Sequence, residues 1–314
     1  MPDPLVSIVM PTYRRPHYLR QALASAVGQT YGNLQIIVRD NASNDETPAV
    51  VRSFEDPRIE FLQAPQTGTA WENGIECFKR VAGKYVIPLC DDDILGENYV
   101  ETLVSHSESD AGIWAAYGAT HLIDENGTVT GKRVPNGTYT AGASELIRAW
   151  CAASLPLASG INYLCRTSFI TSLGDRHCFP DGHNSDNAIF MAAGIRGKVL
   201  FTDSCVFYYR IHGSNTARTH RSRLRAVGDE AFLTFLDDEV SSPSNVGLPR
   251  TDWPRLRGEL QAKLCSWYFH HLTRVQASGH SAVELVLDAT LYPGRAYGVR
   301  NTLKSLRKNR AASI

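Results

Sequence analysis

The 314-residue chain lacks several features that would place it in a familiar class. Its 32 basic and 32 acidic residues cancel, so no overall field favours a nucleic-acid partner. No stretch approaches the ~18 consecutive apolar residues of a membrane span. The first residues, MPDPLVSIVMPTY, have neither the basic region nor the long apolar core of a signal peptide. We therefore expect a cytoplasmic protein that does not bind nucleic acid.

The sequence also gives little support for disulfides or for a zinc site built from cysteines. The seven cysteines include no pair at the short spacing of a zinc knuckle, and their number is odd. Several of them lie inside apolar runs. They predict free, buried thiols in a reducing compartment rather than a disulfide framework.

Two common phosphate-binding motifs are missing. The chain has no GxxxxGK[ST] loop, and no GxGxxG follows its first apolar run. These absences exclude a P-loop protein and argue against dinucleotide binding. A DxDx[TV] phosphatase motif is approached by residues 91–95, DDDIL, but its last position is Leu. A metal-dependent phosphohydrolase stays open as an alternative function.

What the chain does have is a regular alternation of short apolar runs and helical segments. Apolar runs occupy residues 5–10, 34–38, 59–62 and 85–89, and helical patterns occupy 17–29, 45–54 and 72–81. This alternation predicts a mostly parallel sheet with helices on both faces. The Asn126-Gly127 pair predicts a hairpin within 122–134, and 199–202 and 205–211 add two antiparallel strands.

The pattern changes after about residue 215. Helical segments are predicted at 219–236, 252–277 and 280–310, with a polar linker at 241–252. We therefore predict an α/β domain at 1–215 and a C-terminal helical region at 216–314.

Polar residues cluster where three of the predicted strands end. These clusters are Thr12-Tyr13-Arg14-Arg15, the segment 40–45, and Asp91-Asp92-Asp93. Ligands of parallel α/β sheets bind outside the carboxyl ends of the strands, so the clusters should converge on one rim. Adjacent carboxylates repel each other, and a divalent cation such as Mg²⁺ or Mn²⁺ would relieve that repulsion. We favour a site for a metal-bridged diphosphate over three unrelated solvated loops.

Two further groups of polar residues lie downstream. Ser185 or Asp186 stands just before an apolar helix and would suit an N-cap. Asp186 could equally be a general base at the edge of the cleft. Arg210 and His212 end a strand, and alternation puts both on one face.

Three blocks of the sequence together resemble family 2 glycosyltransferases. SIVMPTYRRPHYLRQALASAVGQTYGNLQIIVRDNASNDET (7–47) is similar to the opening of that family. GTAWENGIECFKRVAGKYVIPLCDDDIL (68–95) resembles its next block, in a bacterial branch with Trp-x-Asn-Gly and Leu-x-Asp-Asp-Asp. SDNAIFMAAGIRGKVLFTDSCVFYYRIHGSN (185–215) resembles the block with the catalytic base. The resemblance implies the GT-A fold and an inverting transfer from a nucleotide-diphosphate sugar.

The resemblance also implies roles for individual residues. The nucleotide sugar would be held by Pro11, Thr12, Tyr13, Arg15, Asp40, Trp71, Asp91, Asp92 and Arg210. The metal, Mn²⁺ or Mg²⁺, would be held by Asp92, Asp93 and His212. Asp186 would be the catalytic base. Residues 1–110 would form the nucleotide-binding half and 111–215 the acceptor half.

Substrates and partners are less constrained by the sequence. The family often has Arg where this chain has Trp71-Glu72-Asn73, which weakens an assignment to uridine. The acceptor could be a glycan, a lipid-linked sugar or a small molecule. The C-terminal stretch 294–310 is basic without an acid, so it could contact anionic lipid at a membrane surface, or be a solvated terminal helix. A GT-A domain that binds nucleotide sugars without catalysis is a further alternative.

Overall fold

The computed structural model describes residues 2–156, 162–174, 179, 184–213 and 222–276. Within these ranges the chain forms two compact units. The first lies within residues 1–142, 155–174 and 196–215, and the second within 143–154, 175–195 and 216–314. Among the described helices, none is both long enough and apolar enough to cross a membrane.

The first unit is built on one ten-stranded sheet. Its strands are β1 (Val6–Thr12), β2 (Leu34–Asp40), β3 (Ile59–Gln63), β4 (Tyr85–Pro88), β5 (Ile94–Leu95), β6 (Ile113–Ile123), β7 (Val129–Arg133), β8 (Tyr139–Ala141), β9 (Leu164–Arg166) and β10 (Lys198–Arg210). Its helices are α1 (Pro16–Val27), α2 (Thr47–Arg52), α3 (Ala70–Phe78), α4 (Tyr99–Ser109) and α6 (Thr167–Leu173). Helix α5 (Ala143–Cys151) comes between α4 and α6 in the chain and belongs to the second unit.

The strand order sets where the polar strand ends meet. The sheet runs β3-β2-β1-β4-β9-β6-β10-β5, with β7 paired to β6 and β8 to β10. Strands β1, β2, β3 and β4 are parallel, and Thr12 at the end of β1 lies opposite Asp40 at the end of β2. Their buried apolar runs, such as Ile8 and Ile36, form the core against the helices. The chain leaves β4 beside the end of β1.

The second unit contains four helices among the described residues. They are α5 (Ala143–Cys151), α7 (Ser185–Arg196, whose last residue belongs to the first unit), α8 (Ser222–Ser241) and α9 (Trp253–Gln276). Aromatic packing holds them together: Trp150 lies against Phe232, and Phe179 against Phe232 and Phe235.

The α/β class with parallel strands is confirmed, and so is the hairpin. Residues 124–128 join β6 to β7, and Gly127 has the positive φ of 87° that an Asn-Gly turn needs. Residues 199–202 and 205–210 are in strand conformation, as predicted, but they are not two strands, and their pairing is parallel with β6 and antiparallel only with β5 and β8. They form one strand, β10, because a register shift between Phe201 and Val206 absorbs the polar residues without ending the pairing with β6. The helix predicted at 280–310 lies outside the described residues.

Candidate active site

Three consecutive carboxylates lie between β4 and β5, beside the end of β1. Asp91, Asp92 and Asp93 are 6%, 8% and 1% exposed. Buried charges need partners, because an unpaired one costs several kcal/mol or forces neutralisation. Each of the three acids has a different set of partners.

Asp91 faces the end of β1. Its Oδ2 accepts a hydrogen bond from Thr12 Oγ1 at 2.8 Å and from the Tyr13 backbone N–H at 3.4 Å. Its Oδ1 lies 3.2 Å from Arg15 Nη1. The predicted meeting of these two strand ends therefore occurs in the structure.

Asp92 contacts residues from the beginning and from the end of the first unit. Its Oδ2 lies 2.8 Å from Arg15 Nη1 and 2.9 Å from His212 Nε2. Its backbone carbonyl accepts from Arg210 Nε at 2.8 Å. Arg210 and His212, which follow Asp92 by more than a hundred residues, both contact it, with Arg210 as the last residue of β10 and His212 just beyond the strand.

Asp93 points into the protein. Its Oδ1 accepts from the Arg210 backbone N–H at 2.8 Å, and its Oδ2 accepts from Asn162 Nδ2 at 2.7 Å. Asn162 also accepts from the Cys90 backbone N–H at 3.3 Å through its Oδ1. The loop that carries the acids is thus fixed by Asn162 on one side and β10 on the other.

The Arg210 guanidinium is completely buried and donates to groups of the protein. Nη1 donates to the carbonyls of Asp124 and Glu125 at 3.0 and 3.1 Å, and Nη2 donates to Gln21 Oε1 at 2.8 Å. The Tyr18 ring lies 4.9 Å from Arg210 Cζ and stacks on His212 at 5.2 Å. Arg210 therefore ties β10, the β6–β7 turn and α1 together around the acids.

Burial and mutual repulsion change the titration of the cluster. Burial, followed by the charge of Asp92, raises the pKa of Asp91 to about 6 and that of Asp93 to about 7. Burial alone would lower the pKa of Arg15, but Asp91 and Asp92 outweigh it and raise that pKa. Burial raises the pKa of the Cys90 thiol, and the three acids raise it further. The site favours added positive charge.

A metal ion could be held by this cluster. Cys90, Asp92 and Asp93 each offer one ligand atom, and these atoms all lie within 4.8 Å of one another. The His212 imidazole beside Asp92 is a further nitrogen donor. Oxygen donors suit Mg²⁺ and Mn²⁺, and a divalent cation would offset the repulsion that raises the pKa of Asp91 and Asp93.

A second polar group flanks the cluster at the end of β2. Asp40 is fully buried and accepts from the Ser43 backbone N–H at 3.1 Å, from the Ser43 hydroxyl, and from Gln63 Nε2 at 3.3 Å. Asn41 and Gly68 exchange two hydrogen bonds of 2.8 and 3.0 Å, which hold the loop before α3 against β2. The register places Asp40 one strand away from Thr12.

Pro11 lies on β1, and Trp71 lies in α3. Pro11 pairs with Arg39 across β1 and β2. Trp71 is half-buried in the first turn of α3, which begins with a capping box: Thr69 Oγ1 accepts from the Glu72 backbone N–H at 3.1 Å, and Glu72 Oε2 accepts from the Thr69 backbone N–H at 2.8 Å. The sequence Thr-x-x-Glu thus fixes where Trp71 stands.

Asp186 lies in the second compact unit. Helix α7 begins at Ser185, so Asp186 is in its first turn, and its Oδ1 accepts from the Asn187 backbone N–H at 2.9 Å. A hydrogen-bond chain supports this turn: Trp150 Nε1 donates to Asn187 Oδ1, Asn187 Nδ2 to Asn184 Oδ1, and Asn184 Nδ2 to Asp229 Oδ1. The expected cap at Ser185 or Asp186 is wrong by one position, since Asn184 precedes the helix with a φ of 64°.

Several residues of the site escaped the sequence analysis. Asn162, Tyr18 and Gln21 carry no motif, and each meets the cluster or Arg210 from a distant part of the chain. Asn162 adopts a φ of 70°. Asn tolerates this region better than most residues, so an Asn in this loop was a weak sequence signal.

Comparisons with known proteins give a consistent result. A family model described as "Glycosyl transferase family 2" matches residues 7–170, more than half of the chain. An uncharacterized glycosyltransferase of Rickettsia bellii (strain RML369-C) is 32% identical over 167 residues, 52% of this chain and 23% of the relative. The UDP-Glc:alpha-D-GlcNAc-diphosphoundecaprenol beta-1,3-glucosyltransferase WfgD of Escherichia coli is 33% identical over 134 residues, 43% of this chain and 52% of WfgD. The matches thus span about half or less of these curated relatives.

Solved structures agree on the fold. The crystal structure of S. aureus TarS 1-349 in complex with UDP has a TM-score of 0.58 at 16% identity, with 97% of this chain and 91% of that chain covered. The complex with UDP-GlcNAc gives a TM-score of 0.58 at 15% identity, with 97% and 92% covered. At such low identity the likeness concerns the fold alone, and it confirms the expected GT-A architecture.

Proposed function

The chain belongs to glycosyl transferase family 2, and from that premise we propose that it is a metal-dependent, inverting glycosyltransferase. It would move a sugar from a nucleotide-diphosphate sugar to an acceptor hydroxyl. The main support is the meeting of Thr12, Arg15 and His212 at the acids Asp91 and Asp92. Hydrogen-bond donors, cations and carboxylates on one rim are what a nucleoside diphosphate with a metal requires.

The donor would lie along the ends of the parallel strands. Pro11, Thr12, Tyr13 and Asp40 would hold the nucleoside, and Asp91 its ribose. Trp71 would border the same pocket. Arg15 and Arg210 would offset the charge of the diphosphate; the Arg210 guanidinium would do so from within its protein contacts.

The residues fit a divalent cation. Asp92, Asp93 and His212 would hold Mn²⁺ or Mg²⁺, and Cys90 stands close enough to take part. When bound, the cation would stabilise the charge of the leaving diphosphate as a Lewis acid. His212 is kept in place by stacking on Tyr18, and Asp92 by Arg210 at its backbone carbonyl.

The chemical step needs a base and a leaving group. Asp186 would take the proton of the acceptor hydroxyl, whose oxygen forms a bond to the anomeric carbon. The bond from that carbon to the diphosphate oxygen breaks, and its electron pair leaves with the nucleoside diphosphate. A positioned base of this kind contributes ~10²–10⁴ in rate. Attack from the face opposite the leaving group inverts the anomeric centre.

Substrate candidates come from the relatives. The structures of TarS were solved with UDP and UDP-GlcNAc, and the name of WfgD gives UDP-Glc as donor and a diphosphoundecaprenol-linked GlcNAc as acceptor. We take uridine nucleotides and a lipid-linked acceptor as the first to test. A cytoplasmic location and membrane contact through 294–310 stay predictions, and that stretch lies outside the described residues.

The first experiment is a thermal-shift panel. UDP, GDP, dTDP, CDP and their sugars are each added with and without Mn²⁺. A ligand at 100 times its Kd stabilises the folded state by about 2.7 kcal/mol. We expect one nucleotide to raise the Tm only when Mn²⁺ is present, and Asp92→Asn to remove that shift. No shift with any nucleotide in the presence of Mn²⁺ would refute the proposal and favour the phosphohydrolase.

A further inference from the structure

The Arg15 guanidinium is paired with Asp91 and Asp92, the two acids that the proposed donor and metal would contact. Arg15 Nη1 lies 3.2 Å from Asp91 Oδ1 and 2.8 Å from Asp92 Oδ2. The two acid side chains are 8% and 10% exposed, whereas that of Arg15 is 25% exposed. Arg15 therefore offsets much of the negative charge of this buried pair before any ligand is present.

The same oxygen, Asp92 Oδ2, has a second neighbour of different chemistry. His212 Nε2 lies 2.9 Å from it. An imidazole nitrogen can act as a donor or a metal ligand, but a guanidinium has only N–H donors and a permanent positive charge. A cation bound at Asp92 Oδ2 could keep His212 as a co-ligand, but it would meet Arg15 as a like charge.

Arg15 is placed so that its side chain can turn without a backbone change. It stands immediately before α1, and its carbonyl accepts a hydrogen bond from the Leu19 backbone N–H at 2.9 Å. Pro16 follows at the first helical position, which fixes the entry into the helix. The backbone is held, while the Arg15 side chain stays 25% exposed, more than either acid side chain that it contacts.

We propose that Arg15 is a resident counter-ion that couples donor binding to metal binding, an inference that rests on the proposed function. Without donor, Arg15 holds Asp91 and Asp92 and weakens metal binding. When a nucleoside diphosphate enters, the guanidinium moves to its phosphate oxygens, which Arg binds well through two parallel hydrogen bonds. Asp92 Oδ2 then accepts the metal. Because coupling is reciprocal, the metal must strengthen nucleotide binding by the same factor.

The test measures Mn²⁺ binding directly, by electron paramagnetic resonance of the free ion, without any assay of activity. Metal alone is titrated at pH 8, where Asp91 and Asp93 are ionised. We expect Arg15→Gln to bind Mn²⁺ about tenfold more tightly than the wild type, a typical coupling factor. Arg15→Lys, which keeps the charge, should stay near the wild type. Arg20→Gln is the matched control, because Arg20 is exposed on α1 and contacts Ser53.

Nucleotide provides the second arm. Added UDP, with GDP and dTDP as parallel arms, should tighten Mn²⁺ binding of the wild type and do so by about tenfold less in Arg15→Gln. Unfolding midpoints confirm that each variant is folded, and Arg15→Met, neutral with a similar stem, replaces Arg15→Gln if the latter does not fold.

The outcomes separate this inference from the proposed function. If the neutral variants bind Mn²⁺ no more tightly than the wild type, while the wild type shows metal-dependent nucleotide binding, the coupling role is overturned and the proposed function stands. If the wild type binds neither Mn²⁺ nor any of the nucleotides, both are overturned.

Discussion

Asn162 and Asp93 are hydrogen-bonded across 69 positions of the chain, with Asn162 Nδ2 donating to Asp93 Oδ2 at 2.7 Å. Asn162 is fully buried and adopts a φ of 70°. Tyr99 OH donates to its carbonyl at 2.7 Å, and its own backbone N–H donates to the Pro88 carbonyl at 3.1 Å. It is therefore a junction between β4, α4 and the acid cluster.

Replacing Asn162 should lower the free energy of unfolding through two contributions, the lost hydrogen bonds and the left-handed backbone, which two variants separate. Asn162→Gly removes the amide but accepts the positive φ, and should cost about 1–3 kcal/mol for the lost buried hydrogen bonds. Asn162→Ala keeps a Cβ in the left-handed region without the hydrogen bonds of the Asn side chain, so it should be about 1–2 kcal/mol less stable than the Gly variant. Urea unfolding of both variants measures the two terms. Equal stability of the Ala and Gly variants would contradict the backbone part, and wild-type stability of both would contradict the whole account.

Arg210→Lys should be strongly destabilising although the charge is kept. The buried guanidinium donates to three backbone carbonyls and to Gln21, a set that an ammonium cannot span. Breaking a buried charged network of this kind costs about 3–5 kcal/mol. The unfolding free energy in urea is the measurement, and Arg133→Lys on the exposed strand β7 is the control. A change within about 0.5 kcal/mol, as at an ordinary surface site, would show that the network is not formed.

Much of the parallel half of the sheet could be predicted because its signals are local. The runs that became β1, β2, β3 and β4 are continuously apolar, and parallel pairing brings their polar ends to one edge. That geometry alone predicted that Thr12 and Asp91 would meet, and they do. The two-residue strand β5 was too short to show a pattern, and it exists because β10 pairs with it.

The long-range partners could not be predicted in the same way. Asn162 and Gln21 reach the cluster or Arg210 only because distant segments pack together. The sequence around Asn162 does not differ from that of an ordinary solvent-exposed loop. The full burial of Arg210 was also unexpected, because Arg is rarely buried without partners. It donates to the backbone carbonyls of Asp92, Asp124 and Glu125, which leave no trace in the sequence.

The stability of the metal-free protein should fall as pH rises from about 5 to about 7, above the range in which the carboxylates with a lowered pKa, such as Asp56 and Glu108, titrate. Asp91 and Asp93 lose their protons near the ordinary value of 3.8 when unfolded, but near about 6 and about 7 when folded. Between these values the folded state binds more protons, so the free energy of unfolding decreases with pH. Urea unfolding in EDTA from pH 4.5 to 8 measures the slope.

Two comparisons make this pH prediction specific to the acid cluster. Asp93→Asn should flatten the slope between pH 5 and 7, because it removes the group whose pKa is raised to about 7. Saturating Mn²⁺ should stabilise the protein more as pH rises, since the metal competes with protons for the same oxygens. A metal-free wild type whose stability rises across this window would contradict the prediction.

Asp186→Asn should separate catalysis from the contact that Asp186 makes within the first turn of α7. The Asn side chain keeps an oxygen that can accept from the Asn187 backbone N–H, so the first turn of α7 retains its contact. It cannot take a proton. If Asp186 is the base, transfer measured as UDP release from a UDP-sugar should fall by about 10²–10⁴, while the unfolding midpoint and the Mn²⁺-dependent nucleotide shift stay close to the wild type. Asp203→Asn, at an exposed position of β10, is the control for a lost carboxylate.

If Asp186→Asn keeps wild-type transfer, Asp186 serves only the helix, and the base must be sought among other carboxylates. If instead it loses stability together with nucleotide binding, the loss of transfer reflects a damaged fold, and the base assignment is not supported.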